Sequence, residues 1–183
     1  DYIVVSEENG ETHLLNRKGE KRILLQDKVN RTNQKINLLK GATLNESRLI
    51  TKNKLGQVVA LNFDGTIDTM QVQNLNKNDQ YIKTENYTLI IRGNKLIFSS
   101  NNNRFEYNFK SRPDHKPEVI FINESVIIFI RNTNENLIYM INESGELHTN
   151  PFFGTTSFSI KKGEKINMIV GSHEGIVYNY LIN

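Results

Sequence analysis

The sequence contains no cysteine and no tryptophan, and only 3 of its 183 residues are proline. The lack of cysteine excludes disulfide frameworks, thiolate metal sites and cysteine nucleophiles. No apolar run approaches the ~20 residues of a membrane-spanning helix, so we expect no membrane span. The formal net charge is +3, with 23 lysines and arginines dispersed among 20 acidic residues, and this balance predicts no nucleic-acid partner.

A unit of about forty residues recurs five times along the chain. Each copy has an apolar strand, a polar turn and a second apolar strand, and all but the last continue into a second turn and a third strand. The residue that follows the apolar run of the first strand is Ser6, Lys52, Arg92, Arg131 or Gly171. These positions are 46, 40, 39 and 40 residues apart, and such a period is typical of repeat architectures.

The second turn of the repeat carries a residue that tolerates a left-handed backbone. This residue is Gly19, Gly65, Asn103 or Gly145. Tight antiparallel hairpins need a positive φ at a central residue, which glycine adopts without a clash and asparagine tolerates better than most residues. We therefore predict a positive φ at all four positions, with antiparallel strands on either side.

The composition and spacing of the strands predict an all-β chain. The strands are rich in Val, Ile, Leu, Tyr and Phe, whereas the best helix candidate, Thr32–Gly41, contains two asparagines and has no capping residue. Four short antiparallel strands per unit form the blade of a β-propeller, and the regular period disfavours a sandwich with Greek-key crossovers. The fourth strand fits between successive repeats, at Lys35–Leu39, Gln80–Lys83, Glu118–Ile122 and Ser157–Ile160.

Two segments carry a resemblance to known propeller families. The segment VGSHEGIVYNY, Val170–Tyr180, resembles the second and third strands of a WD-repeat blade. The segment LNFDGTID, Leu61–Asp68, is similar to hairpins of quinoprotein-like propellers. At the level of the blade the resemblance covers nearly all of the chain, and it implies a β-propeller repeat protein.

The blade assignment places a single β-propeller domain over residues 1–183, with about four to five blades present. On this assignment the chain opens at the second strand of one blade and ends after the third strand of another. We therefore expect the C-terminal part of a longer propeller, preceded by further blades or domains of the same polypeptide; a compact five-bladed ring is the alternative. The predicted blades cover residues 1–28, 33–73, 79–110, 117–152 and 155–183.

Motifs that carry catalytic chemistry are missing from the sequence. The four histidines fall at different repeat positions and show no zinc-binding spacing. Neither a Gly-x-Ser-x-Gly nucleophile elbow nor a phosphate-binding glycine loop occurs. We therefore assign no catalytic residue, no metal site and no cofactor from the sequence.

Three cations share one repeat position, at the end of the strand before the first turn. They are Lys52, Arg92 and Arg131, and Lys54 is close to the first of them. A propeller brings equivalent turns to one face, where three cations would attract a carboxylate, a phosphate or an acidic partner surface. The alternative is that each is a solvated turn residue.

The longest strongly polar connection of the later repeats is the loop KSRPDHKP, Lys110–Pro117. Its two prolines stiffen the intervening residues, which lowers the entropy lost on binding. We therefore predict that Arg112, Asp114 and His115 take part in recognition, with a simple crossover between blades as the alternative. His173 lies in the last turn, where it would face either the propeller channel or solvent.

These features favour a non-enzymatic propeller scaffold that recognises a protein or peptide, and the shared cations are suited to an acidic one. One alternative is a propeller-type enzyme, such as a hydrolase, lyase or quinoprotein-like dehydrogenase, whose residues converge in the channel. Another is a sensor propeller within a larger multidomain protein. The sequence does not indicate a compartment.

Overall fold

The structure, a computed structural model, describes residues 3–7, 9–29, 36–70, 72, 75–122 and 125–182. Within these ranges the chain forms 18 strands in five antiparallel sheets and no helix. Consequently, none of the described residues lie in a helix long and apolar enough to cross a membrane.

The strands follow one another through the five sheets in chain order. The first sheet contains β1 (Ile3–Ser6), β2 (Thr12–Leu15) and β3 (Lys21–Ile23). The second contains β4 (Asn37–Leu39), β5 (Arg48–Lys52), β6 (Val58–Asn62) and β7 (Ile67–Met70). The third contains β8 (Gln80–Lys83), β9 (Tyr87–Arg92), β10 (Lys95–Ser100) and β11 (Arg104–Asn108). The fourth contains β12 (Glu118–Ile122), β13 (Ser125–Asn132), β14 (Leu137–Ile141) and β15 (Phe152–Phe153), and the fifth contains β16 (Phe158–Lys162), β17 (Ile166–Gly171) and β18 (Val177–Ile182).

This architecture confirms an all-β chain built of blade-like antiparallel sheets, as in a partial propeller. Three sheets have four strands, and the first and last have three. Two of the fourth strands predicted between successive repeats, Gln80–Lys83 and Glu118–Ile122, have the observed bounds. The described part of the helix candidate holds the strand Asn37–Leu39 instead, which pairs antiparallel with β5 so that Asn37 lies opposite Ile50 and Leu39 opposite Arg48. Residues 32–35 of that candidate lie outside the described residues.

The chain divides into two compact units, one of residues 1–93 and 97–102 and the other of residues 94–96 and 103–183. Within each unit, consecutive sheets pack face to face through alternate apolar side chains of their strands. In the first unit, Leu14 of the first sheet packs with Leu49, Val59 and Leu61 of the second. In the second unit the fourth and fifth sheets share a core of Ile127, Phe129, Ile138, Met140, Ile166, Met168, Val170 and Ile182. The boundaries of the single predicted domain and of its blades stay a prediction.

Among the residues that the structure describes, six hairpin turns have the same backbone geometry. In the turn after β2, for example, Asn16 N donates to Glu20 O (2.9 Å) and Gly19 N donates to Asn16 O (3.0 Å). The glycine in each turn has a φ between 80° and 92°. Any residue with a side chain would be strained in this backbone conformation. The same pair of hydrogen bonds starts at Glu7, Asn16, Asn53, Asn62, Asn142 and Ser172, with the glycine three residues later.

Asparagine adds side-chain bonds to several of these turns. The Oδ1 atoms of Asn16, Asn53 and Asn142 each accept two backbone N–H groups of their own turn, at 2.9–3.1 Å. These side-chain bonds are a physical reason for placing asparagine at the start of such a turn. The expectation for Asn103 is wrong, since Asn136 is the single non-glycine residue with a positive φ in the described ranges. Asn103 instead lies in the three-residue connection between β10 and β11.

Candidate functional site

The Lys110–Pro117 loop connects β11 to β12 in the second unit. Its two prolines, Pro113 and Pro117, are buried, whereas Arg112, just before the first proline, and Asp114, just after it, are exposed. Buried prolines hold the backbone in a fixed course, because their φ is locked and their rings have no room to move. The loop therefore presents charged side chains on a stiff frame.

Glu135, in the turn between β13 and β14, holds the first part of this loop. Its Oε1 atom accepts hydrogen bonds from Ser111 N (3.1 Å), from Ser111 Oγ (2.6 Å) and from the buried Asn132 Nδ2 (2.8 Å). Its Oε2 atom accepts the hydroxyl of Tyr139. Burial alone raises the pKa of Glu135, but the bonds from Ser111 and Tyr139 and the nearby Lys110 charge lower it overall. The Glu135 carboxylate is thus ionised, and both of its oxygens accept hydrogen bonds from within the chain.

Asp114 holds the middle of the loop to the same turn. Its Oδ1 atom accepts Thr133 N at 3.0 Å, and its Oδ2 atom accepts the Thr133 hydroxyl. Burial tends to raise the pKa of Asp114, but these two bonds and the charge of Arg131 lower it overall. Two carboxylates, one from the loop and one from the turn, therefore lock the two segments together.

Arg131 lies at the end of β13, and only 7% of its surface is exposed. Its Nη1 atom donates to Thr155 O (3.4 Å) and its Nη2 atom contacts His115 Nδ1 (3.1 Å), while Nε has no hydrogen-bond partner. Because a guanidinium has no acceptor, the contact requires an unprotonated Nδ1 on His115. Burial first, and then the charge of Arg131, lower the pKa of His115 against the opposing effect of Asp114.

His173 reaches the same neighbourhood through Thr155. Its backbone N–H donates to Thr155 Oγ1 at 2.8 Å, and the carbonyl of Thr155 is the group that Arg131 contacts. The His173 side chain is exposed in a hairpin turn whose glycine is Gly175. The structure thus brings together Asp114, His115 and Arg131. Arg112 lies in the same loop, and His173 approaches this group only through its backbone contact with Thr155.

The other two predicted residues, Lys52 and Arg92, lie in the first unit around Asp79. Lys52 is 1% exposed, and its Nζ atom donates to the carbonyls of Asn76 (3.3 Å), Lys77 (2.9 Å) and Asp79. Arg92 Nε donates to Asp79 Oδ2 at 3.1 Å. The shared repeat position therefore places each cation where it can bind a segment that connects two sheets.

Arg131 follows the same pattern, since Thr155 precedes β16 and His115 precedes β12. In the last sheet the equivalent residue is Gly171, whose carbonyl accepts Thr156 N directly at 3.1 Å. A Cβ at Gly171 would lie 2.7 Å from Thr156 Oγ1, so this connection is too close for a side chain. At four of the five copies of this repeat position, Lys52, Arg92, Arg131 and Gly171, the residue thus contacts a segment that connects two sheets.

Three residues that the sequence did not single out could hold a metal ion. Glu7, Glu11 and His13 of the first hairpin offer one ligand atom each, all within 4.8 Å of one another. His13 Nε2 lies 2.6 Å from Glu7 Oε1, and Lys28 Nζ lies 3.3 Å from Glu11 Oε1. The cluster is therefore already satisfied by protein partners.

We expect the stability of the second unit to fall as the pH drops below 6.5, the ordinary pKa of a histidine such as His115. The pKa of His115 is lower in the folded chain, so the unfolded chain takes up the proton first and unfolding becomes easier. The depressed pKa values of Asp114 and Glu135 act in the same direction at lower pH. Urea unfolding at a series of pH values measures this dependence.

His115→Asn keeps an acceptor for Arg131 and removes the titration, so its stability should vary less between about pH 5 and 7. His148→Asn, at an exposed histidine, is the matched control and should follow the parent chain. Equal pH profiles for the parent chain and His115→Asn would contradict the role given to His115.

No protein-family model matches the chain, and no curated protein matches it. Solved structures with a similar fold do exist. A crystal structure of BBS1N in complex with ARL6DN has a TM-score of 0.62 at 12% identity, and the match covers 98% of this chain. The computationally designed Ika8 protein has a TM-score of 0.56 at 10% identity and covers 99%.

The computationally designed Ika4 protein has a TM-score of 0.50 at 10% identity, and the match covers 90% of this chain and 99% of Ika4. The chain spans 60% of the length of BBS1N and 55% of that of Ika8. At these identities the likeness concerns the fold alone. It supports a repeat-like β scaffold made of blade-like sheets.

Proposed function

We propose that this chain is a non-enzymatic propeller scaffold that binds an acidic segment of a protein or peptide on the Lys110–Pro117 loop. The observation that carries the proposal is the combination of a fixed loop backbone with exposed basic side chains. Ser111 and Asp114 tie the loop to the β13–β14 turn, while Arg112 between them stays exposed.

A loop fixed in this way loses little conformational entropy when a partner binds. The hydrogen bonds of Glu135 and Asp114 are made within the chain and need no partner to form. The buried Pro113 and Pro117 restrict the backbone further. Binding energy from new contacts is therefore available for affinity rather than for ordering the loop.

The charges around the loop favour an acidic partner. The loop and its support carry four cations, Lys110, Arg112, Lys116 and Arg131, but only two carboxylates, Asp114 and Glu135. Both carboxylates are occupied by internal hydrogen bonds. An arginine such as Arg112 can bind a carboxylate through two parallel hydrogen bonds, and arginine is enriched among residues that dominate interface energetics.

Two further observations agree with this proposal. BBS1N, which shares the fold, was crystallised in complex with a protein, ARL6DN. In addition, Val170–Tyr180 resembles WD-repeat blades and Leu61–Asp68 resembles quinoprotein-like hairpins. In propellers of these kinds, rigid sheets carry the loops that recognise partners. His173 lies at the border of the proposed surface, next to Thr155.

The test is the binding of a fluorescent poly-glutamate peptide, followed by anisotropy at low and at high salt. Arg112→Glu should weaken binding by about tenfold or more and flatten its salt dependence, because a cation of the surface becomes a repulsive anion. Arg104→Glu is the matched control, since Arg104 is also exposed in the second unit but lies on β11, outside the loop.

The control decides between recognition and a general charge effect. If the two variants weaken binding equally, the peptide responds to net charge and the loop is not a recognition surface. Unchanged binding by Arg112→Glu would reject the proposal as well. Circular dichroism of each variant shows whether the sheets have kept their structure.

A further inference from the structure

β18 differs in composition from the last strands of the other sheets that the structure describes. It is the terminal strand of the fifth sheet and, in the part of the chain that the structure describes, pairs with β17 alone. Its six residues, VYNYLI, include no charge and no proline. By contrast, β3, β7 and β11 each carry charged residues, and β15 has only two residues. Charged or very short edges are how proteins avoid pairing with other chains.

The two faces of β18 have different surroundings. Tyr178 and Tyr180 point to the side of β15, where their rings lie 5.6 Å from that of Phe153 and 4.8 Å from that of Phe152, respectively. On the opposite face Val177 is 69% exposed and Leu181 is 62% exposed. One face is therefore packed within the chain, and the other presents apolar side chains beside an open edge.

The apolar face extends onto the neighbouring strand. Ile169 of β17 is 48% exposed and lies directly across from Asn179 in the strand register. It therefore stands between Val177 and Leu181, which flank Asn179 on the same face. A strand that paired with β18 would bring its own side chains over this apolar face.

The sequence of β18 is symmetric about Asn179. On either side come first a tyrosine and then an aliphatic residue: Val177, Tyr178, Asn179, Tyr180, Leu181. If a second copy pairs antiparallel with a two-fold axis at Asn179, Val177 lies opposite Leu181 of the partner subunit and Tyr178 lies opposite Tyr180 of the partner subunit. In this register the exposed faces of the two copies lie on the same side of the joined sheet.

We propose that two copies of this chain pair through β18 in this register and form one continuous six-stranded sheet. The strand is neutral, so no charge opposes the approach of its copy, and each aliphatic side chain finds an aliphatic partner. Stable interfaces bury about 1,200–2,000 Å² in total, more than a single pair of six-residue strands is expected to provide. We therefore expect a dimer that dissociates on dilution.

Sedimentation velocity over a wide concentration range tests the proposal. The parent chain should shift from monomer to dimer as the concentration rises. Asn179→Lys and Asn179→Asp should each be monomeric, because the axis places two like charges opposite each other. An equimolar mixture of the two variants should dimerise again, since lysine then faces aspartate. Recovery in the mixture is specific to an axis at residue 179.

Ser159→Lys is the matched control, because Ser159 lies in the same cross-strand row as Ile169 and Asn179 but on β16, at the other side of the sheet. It should dimerise like the parent chain. A parent chain that stays monomeric overturns the proposal, as does open-ended association or a mixture that fails to recover. Protection of the β18 amides from hydrogen exchange in a monomer would show that another segment covers the edge, which also overturns it.

Discussion

Lys52→Met is expected to destabilise the first unit by at least about 3 kcal/mol. Methionine fills a similar volume but cannot donate, so the carbonyls of Asn76, Lys77 and Asp79 lose the ammonium that they share. Hydrogen bonds to a charged group contribute about 1.5–3 kcal/mol each, and buried carbonyls left without a donor add a desolvation cost. The midpoint of urea unfolding, followed by circular dichroism, measures the loss.

Lys54→Met is the control that isolates the contact from the charge. Lys54 is exposed two residues further along the chain, and surface substitutions of this kind change stability by less than about 0.5 kcal/mol. A second measurement locates the effect: trypsin should cut after the exposed Lys77 faster in Lys52→Met, since Lys52 no longer holds residues 76–79. Equal stability and equal cleavage in both variants would contradict the anchoring role.

The fold was predictable because its determinants are local. Apolar alternation defines the strands, and a glycine such as Gly19 or Gly145 marks the turn between them, so both signals are contained in a few residues. The Asn-x-x-Gly spacing that most of the shared turns use, as at Asn16 and Gly19, is also visible in the sequence. The role of the asparagine became clear only in the structure, where its side-chain oxygen accepts hydrogen bonds from the backbone amides two and four residues later.

The candidate site was predictable only in part. The period placed Lys52 and Arg131 at equivalent positions, and each lies at or next to the end of the second strand of its sheet, β5 or β13. A period says nothing about what surrounds a side chain, so the burial of Lys52 among carbonyls had no sequence signal. Glu135 was missed for a similar reason, since its partner Ser111 is 24 residues away in the chain.

Gly65 combines the two constraints that a turn glycine can carry. Its φ of +92° is a conformation that strains any side chain. In addition, a Cβ at this position would lie 2.3 Å from the carbonyl oxygen of Leu24, which belongs to the segment that follows β3. That segment is fixed there, because Gln26 N donates to Gly65 O at 3.0 Å. The turn and the crossing segment are therefore in contact through backbone atoms, which cannot rotate away as a side chain can.

Gly65→Ala is therefore expected to cost about 2–5 kcal/mol, from left-handed strain of about 1–2 kcal/mol and a steric overlap of about 1–3 kcal/mol. Gly19→Ala is the matched control, because Gly19 has a φ of +81° in the same kind of turn but nothing within 4 Å of its added Cβ. It should show the strain alone. The difference between the two urea midpoints then measures the contact with Leu24. If both variants lose the same stability, the crossing segment yields freely, and the contact between the segment after β3 and this turn contributes nothing to the packing of the first two sheets.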